Sequence, residues 1–249
     1  VLVPERMRVP VPTLVISLLV PEMTPVVELI DSPAGDRLLL WDTPGFGDSQ
    51  RLARRLAQAG SPLGWVMTEV WDRWRDRAFW ASQRAIRHVR AHAKEYGIDP
   101  NRIGIVGFSA GGHLSSMAAT LFDEKPAGAT NDAVDQVSAR PDVAAPTYPV
   151  ISMIEDYRHD GSRKNLLGPN NTDELAAQVS TERRVTAQTP PIFLFQTDED
   201  TVVPAENAVA FYLACRKNKV PAELHVYRPG PHGVGLFLGD PVLGSWSEH

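Results

Sequence analysis

A serine with glycine neighbours lies near the middle of the chain, in the run GFSAGG at residues 107–112. The run follows an apolar segment at 102–107 and precedes a helical pattern at 112–121. It therefore fits G-x-S-x-G between a strand and a helix, the sharp turn that exposes a nucleophilic serine. Such a turn crowds the neighbouring backbone, and Gly107 and Gly111 supply positions without side chains. We predict that Ser109 is a nucleophile.

A serine hydroxyl is a weak nucleophile, so it needs a histidine base and a carboxylate that holds the histidine in the right tautomer. In a strand–turn–helix serine site the acid and then the histidine follow the serine along the chain. The run TDEDTVVP at 197–204 follows a predicted strand at 191–196, and it offers Asp198, Glu199 and Asp200. His232 lies in the glycine-flanked run PGPHG at 229–233 and is predicted as the base.

Other residues near the serine are candidates for contacts with a substrate. Phe108 and His113 flank the predicted turn, and we predict both as substrate-binding residues, with a packing role as the alternative for His113. His88, His92 and His225 lie within helical or strand patterns and are predicted to be structural or solvated.

The elements that must position these residues alternate between strands and helices. Strands are predicted at 13–20, 26–30, 37–41, 64–70, 102–107, 143–151, 191–196 and 222–228, and helices at 50–59, 78–96, 112–121 and 205–218. This alternation predicts an α/β fold with a mainly parallel central sheet and helices on both faces. A polar stretch at 156–186, with a short helical pattern at 173–179, is predicted to be a lid or insertion, and a solvated connection is the alternative.

Residues 81–246 resemble the acetyl-esterase, or xylan-esterase-like, branch of the α/β-hydrolases. The resemblance is carried by QRAIRHVR, GIDPNRIGIVGFSAGGHL, YPVISM, NLLG, PPIFLFQTDEDTVVPAENA, VPAELHVY and PGPHGVGL. It implies an α/β-hydrolase fold and hydrolysis of short acyl esters, often acetyl groups on sugars, without a cofactor. Its D-x-x-V-P pattern selects Asp200 as the acid, with Asp198 as the alternative, and completes a triad with Ser109 and His232.

Residues before about 81 do not follow that family. They lack its histidine- or proline-led glycine run, which supplies an oxyanion-hole amide, and carry RLLLWDTPGFGDS at 37–49 instead. This segment resembles a bacterial GTPase around its DTPG motif, although a phosphate loop is missing from the sequence. We therefore predict a natural or artificial fusion with a seam near 81–90. The hypothesis is that Gly45, Phe46 or Gly47 supplies one oxyanion amide and Ala110 the other.

Length and composition limit the remaining functions. The 249 residues, 43% of them hydrophobic, fit a single domain spanning 1–249, and a net charge of −5 argues against nucleic acid as a partner. A single cysteine, Cys215, excludes an internal disulfide and a cysteine-rich metal site, and no metal or cofactor is predicted.

Partners and location follow from weaker signals. No apolar run is long enough to span a bilayer, so no membrane association is predicted. Arg6 and Arg8 precede an apolar stretch resembling a signal peptide, but prolines interrupt it, and we predict a cytoplasmic rather than a secreted protein. Five of the six tryptophans lie before residue 81, which leaves both a homodimer and a monomer open. We predict a serine esterase acting on a small-molecule or carbohydrate ester, and the alternative is a weak or silent hydrolase-fold binding protein.

Overall fold

The computed structural model describes residues 14–18, 27–31, 37–41, 79–124, 132–168, 171–236 and 239–248. The predicted helix at 50–59, the predicted strand at 64–70 and most of the GTPase-like segment lie outside these residues, so these predictions stay untested.

The described strands form one mainly parallel sheet. Its members are β1 (Leu14–Leu18), β2 (Val27–Asp31), β3 (Arg37–Trp41), β4 (Ile103–Phe108), β5 (Val143–Thr147), β6 (Ile192–Thr197) and β7 (Ala222–Tyr227). Their order across the sheet is β2-β3-β1-β4-β5-β6-β7, and among these strands the β2–β3 pair is antiparallel while the others are parallel. This arrangement confirms the predicted fold class. Because parallel strands end at the same edge, the segments that follow β4, β5 and β6 meet there.

Six helices accompany the described strands. They are α1 (79–91), α2 (Ala93–Tyr96), α3 (Ala110–Thr120), α4 (Asp160–Leu167), α5 (Asp173–Val179) and α6 (Glu206–Lys217), and short 3₁₀ helices lie at Ala133–Gln136, Thr181–Arg183 and Leu243–Glu248. The helix predicted at 78–96 is divided at His92, whose ring Nδ1 and backbone N–H both contact the His88 carbonyl.

The predicted insertion at 156–186 holds more regular structure than its polar sequence indicates. It contains α4 as well as the expected α5. The sequence of α4, DGSRKNLL, lacks an extended apolar stripe, which explains why the pattern did not predict this helix. Its start is defined instead by a cap, because the His159 side chain accepts a hydrogen bond from the backbone N–H of Ser162.

Alternate residues of β6 enter different apolar clusters. Ile192 and Leu194 join the cluster formed with α1, α3 and α6, in which Phe211 is fully buried. Phe193 and Phe195 join an aromatic cluster that is covered by Trp246 of the last 3₁₀ helix. Because successive side chains of a strand point to opposite faces, the two clusters cover the two faces of the sheet. The site-bearing end of the sheet therefore stands on a packed core.

The helices in the described part of the chain are shorter or more polar than a membrane-spanning helix would be.

Candidate active site

Ser109 lies at the junction of β4 and α3, where the backbone takes a strained conformation. Its φ angle of 56° and ψ angle of −115° fall outside the regions that L-residues prefer. Three hydrogen bonds hold it there: its N–H donates to the Thr147 carbonyl, and its own carbonyl accepts from His113 and Val150. The residues after β4 and β5 are thereby tied together, which gives the strained serine a rigid support.

Two glycines allow the close approach of backbone segments around the serine. A Cβ atom on Gly107 would lie 2.0 Å from the Gly111 carbonyl oxygen, and one on Gly112 would lie 2.7 Å from the Pro149 Cβ. Both distances are too short for non-bonded atoms, so these positions accept glycine alone without rearrangement. The second contact holds α3 against the segment that follows β5.

Asp200 provides a buried carboxylate at the turn after β6. The side chain is fully buried, and its Oδ1 accepts hydrogen bonds of 2.9 Å from the N–H groups of Val202 and Val203. Its Oδ2 lies 2.6 Å from Nδ1 of His232. Asp198 is exposed, and its backbone N–H pairs with the Tyr227 carbonyl. The geometry thus brings Asp200, and not Asp198, to the histidine.

His232 bridges the acid and the serine. While Nδ1 faces Asp200, Nε2 lies 2.7 Å from the Ser109 Oγ. Because a carboxylate can only accept, Nδ1 carries the proton of the neutral ring, and the lone pair of Nε2 faces the hydroxyl. The loop reaches this position through Gly230 and Gly233, whose φ angles of 132° and 82° favour glycine. This is the arrangement of an activated serine nucleophile.

Tyr148 supports the histidine from the end of β5, where a strand was predicted to continue to residue 151. The residue has a φ angle of 35° and turns the chain away from the sheet. Its ring lies 5.1 Å from the His232 ring, edge to face, and its hydroxyl accepts a hydrogen bond from the Gly235 N–H. Tyr148 was missed from sequence, although the proline that follows it argues against a central strand that continues to residue 151.

The two predicted substrate-binding residues have packing contacts in the structure. Phe108 packs against Tyr148 and Trp246, with ring centroids 5.7 Å and 6.3 Å away. His113 is 4% exposed, and burial lowers its pKa to about 4, a shift that the nearby Val150 backbone partly opposes. A neutral, buried His113 matches the packing alternative. Contact of either residue with a substrate remains a prediction.

Ala110 is the first residue of α3, immediately after the serine. The first N–H groups of a helix have no carbonyl one turn earlier, so they are available to a negative charge that forms beside Ser109. The predicted second donors, Gly45, Phe46 and Gly47, lie outside the described residues.

Asn207 connects several segments around the site and was also missed from sequence. Its fully buried amide accepts hydrogen bonds from the N–H groups of Ile151 and Ser152 and donates to the carbonyls of Tyr157 and Pro204. A single asparagine inside an amphipathic helix carries no local signal of such a role, because three of its four partners lie 50 or more residues away.

The described residues contain no cluster of side chains that could bind a metal ion. Across the described ranges, no group of three or more histidine, cysteine or carboxylate side chains is placed to hold an ion. Cys215 is buried in the core, and burial raises the pKa of its thiol to about 12.

Comparisons with known proteins agree on one family. The profile of the BD-FAE family matches residues 73–214, more than half of the chain. The chain is 40% identical over 164 residues to endo-1,4-beta-xylanase B of Butyrivibrio fibrisolvens and 34% identical over 171 residues to an acetylxylan esterase of Xylanibacter ruminicola. These matches cover 66% and 67% of this chain but 25% and 32% of the two relatives, so the chain spans at most about a third of their length.

A solved structure extends the similarity to the front of the chain. The acetyl ester-xyloside bifunctional hydrolase of Caldicellulosiruptor lactoaceticus superimposes with a TM-score of 0.70 and 32% identity. The alignment covers 95% of this chain and 80% of that protein. Because it includes residues before 81, and the family match begins at residue 73, these comparisons lend no support to a GTPase-derived front segment.

Proposed function

The chain belongs to the BD-FAE family and has the α/β-hydrolase fold. From this premise we propose that it is a serine carboxylesterase that cleaves short acyl esters, acetyl esters above all. The observation that carries the proposal is the hydrogen-bonded line from Asp200 through His232 to Ser109, with distances of 2.6 Å and 2.7 Å. A histidine held between a buried carboxylate and a strained serine is the arrangement that nucleophilic acyl transfer requires.

In the first half of the reaction, the Ser109 Oγ attacks the carbonyl carbon of the ester while its proton passes to Nε2 of His232. The imidazolium that forms is stabilised by the Asp200 carboxylate, which is itself held by two backbone N–H groups. The bond between the carbonyl carbon and the alcohol oxygen then breaks. The proton on Nε2 goes to the departing alcohol, and the acyl group remains on Ser109.

In the second half, water replaces the alcohol. The water oxygen attacks the acyl carbon while His232 takes a proton from the water. His232 then returns that proton to the Ser109 Oγ when the acid leaves. The negative charge on the carbonyl oxygen is held in both steps by the Ala110 N–H. For the second oxyanion donor we propose a backbone N–H of Gly45, Phe46 or Gly47.

The alcohol of the ester is proposed to be a carbohydrate. Relatives that carry the names acetylxylan esterase and acetyl ester-xyloside hydrolase support this choice. Acetylated xylan is therefore the first polymer to examine beside small synthetic esters.

The test is hydrolysis of p-nitrophenyl acetate by the wild type and by Ser109→Ala. We expect the substitution to lower kcat by at least about 10³-fold, because it removes the nucleophile, while the circular dichroism spectrum stays the same. Full residual activity in the folded variant would overturn the assignment.

Covalent labelling separates the esterase from a catalytically silent hydrolase-fold protein. A fluorophosphonate probe modifies a serine that is activated by a neighbouring base. We expect the wild type to be labelled at Ser109 and Ser109→Ala to remain unlabelled. A folded wild type that is neither labelled nor active would favour the silent alternative.

A further inference from the structure

A second histidine, His159, has a ring orientation that is set by the helix it caps. Its Nδ1 accepts a hydrogen bond of 3.1 Å from the backbone N–H of Ser162, and the Ser162 Oγ lies 2.8 Å from the same atom. Because a backbone N–H can only donate, Nδ1 is the unprotonated nitrogen. The neutral ring therefore carries its proton on Nε2, the atom that points away from the cap.

The segment that carries His159 is anchored to the turn that carries the triad acid. Asn207 Nδ2 donates to the Tyr157 carbonyl at 2.9 Å and to the Pro204 carbonyl at 3.1 Å. The buried Asn207 amide thus joins Tyr157, two residues before His159, to Pro204, four residues after Asp200. The chain that leads into α4 is therefore held beside the turn that carries Asp200.

The surroundings keep this histidine neutral. Burial lowers the pKa of His159, and the nearby His232 lowers it further, while Asp160 and Asp200 raise it by less. The ring also packs on its own helix, since a Cβ atom at Gly161 would lie 3.0 Å from the His159 Cε1. His159 is therefore a partly buried hydrogen-bond donor whose ring orientation is set by its own helix.

We infer that His159 is a specificity residue whose Nε2–H donates a hydrogen bond to a hydroxyl of the carbohydrate alcohol. The inference rests on the proposed esterase function and adds to it a subsite on the alcohol side. Hydrolysis of p-nitrophenyl acetate, whose alcohol has no sugar hydroxyl, tests the esterase function separately.

The first experiment uses His159→Asn, because an asparagine at this position can still cap α4 but does not reach as far as Nε2. The readout is the ratio of kcat/KM for an acetylated xylo-oligosaccharide to kcat/KM for p-nitrophenyl acetate. We expect this ratio to fall about three- to tenfold, the effect of one lost hydrogen bond. His92→Asn, at another helix start far along the chain from the site, is the matched control and should keep the wild-type ratio.

An unchanged ratio in folded His159→Asn, or an equal loss on both substrates, would overturn the inference and leave the esterase proposal intact. Failure of the wild type on both substrates would instead contradict the esterase proposal.

A second measurement needs no variant. Unacetylated neutral xylo-oligosaccharides should compete with p-nitrophenyl acetate in the wild type, raising its KM at unchanged kcat. Absence of competition at millimolar oligosaccharide would contradict the subsite.

Discussion

The Oδ2 atom of Asp200 lies 2.6 Å from Nδ1 of His232, while Asp198, two residues earlier, is exposed to solvent. The two aspartates belong to one turn, yet one of them alone faces the histidine. The difference follows from the backbone N–H groups of Val202 and Val203, which bind Oδ1 of Asp200 and turn its side chain inward.

Asp200→Asn should lower kcat on p-nitrophenyl acetate by about 10⁴-fold, because an amide does not hold His232 in the tautomer that accepts the serine proton. Asp198→Asn is the matched control and should stay within about twofold of the wild type. Steady-state kinetics on both variants provide the measurement. Loss of activity in the Asp198 variant with retention in the Asp200 variant would reverse the assignment of the acid.

Gly107→Ala should destabilise the fold by about 1–3 kcal/mol or more, since its Cβ would collide with the Gly111 carbonyl oxygen. The free energy of unfolding in urea provides the measurement. The Cβ would also lie 2.9 Å from the Ser115 Oγ, so Gly107→Ala/Ser115→Ala distinguishes the two collisions. We expect the double variant not to recover stability. Recovery would show that the side chain, and not the backbone, limits this position.

Asn207→Ala should lower the free energy of unfolding by about 3 kcal/mol, because four backbone groups at the site lose their shared partner inside the protein. Asn218→Ala is the matched control: the side chain of Asn218 makes a single hydrogen bond, to the Ala214 carbonyl at the end of α6, and its loss should cost about 1 kcal/mol or less. Equal losses in the two variants would contradict the connecting role of Asn207.

His113 should make stability depend on pH. Its folded-state pKa of about 4 lies below the ordinary value of 6.5, so between these values the unfolded chain binds a proton that the folded protein excludes. Stability should therefore fall as the pH decreases from about 6.5 to 4, by roughly 3 kcal/mol in total, and this contribution should become constant at lower pH.

His113→Leu removes that group, so the pH dependence of urea unfolding should be shallower in the variant over this range. Burial also lowers the pKa values of His88 and His159, but these residues contribute equally to the pH dependence of stability in the wild type and in the variant. Identical pH profiles for the wild type and the variant would show that folding does not lower the pKa of His113.

The sequence by itself determined the fold class and the chemical types at the site. Apolar runs predicted the positions of β4, β6 and β7 to within one residue, because strands that are buried or partly buried leave a local signal in the sequence. Ser109 and His232 also left local signals. The strained backbone at Ser109 and in the loop that carries His232 requires glycine at nearby positions, so each residue lies in a short glycine-containing motif of the sequence.

The tertiary structure alone decided which residues meet. His232 contacts Ser109 across 123 positions and Asp200 across 32. The family pattern favoured Asp200 and left Asp198 as the alternative, and the way the turn after β6 lies against the loop after β7 brings Asp200 to the histidine. The contacts of Tyr148 and Asn207 were beyond local patterns for the same reason. Each makes its informative contacts with segments that parallel strands bring to one edge of the sheet, and a periodic pattern records the face that a side chain occupies but not its distant neighbours.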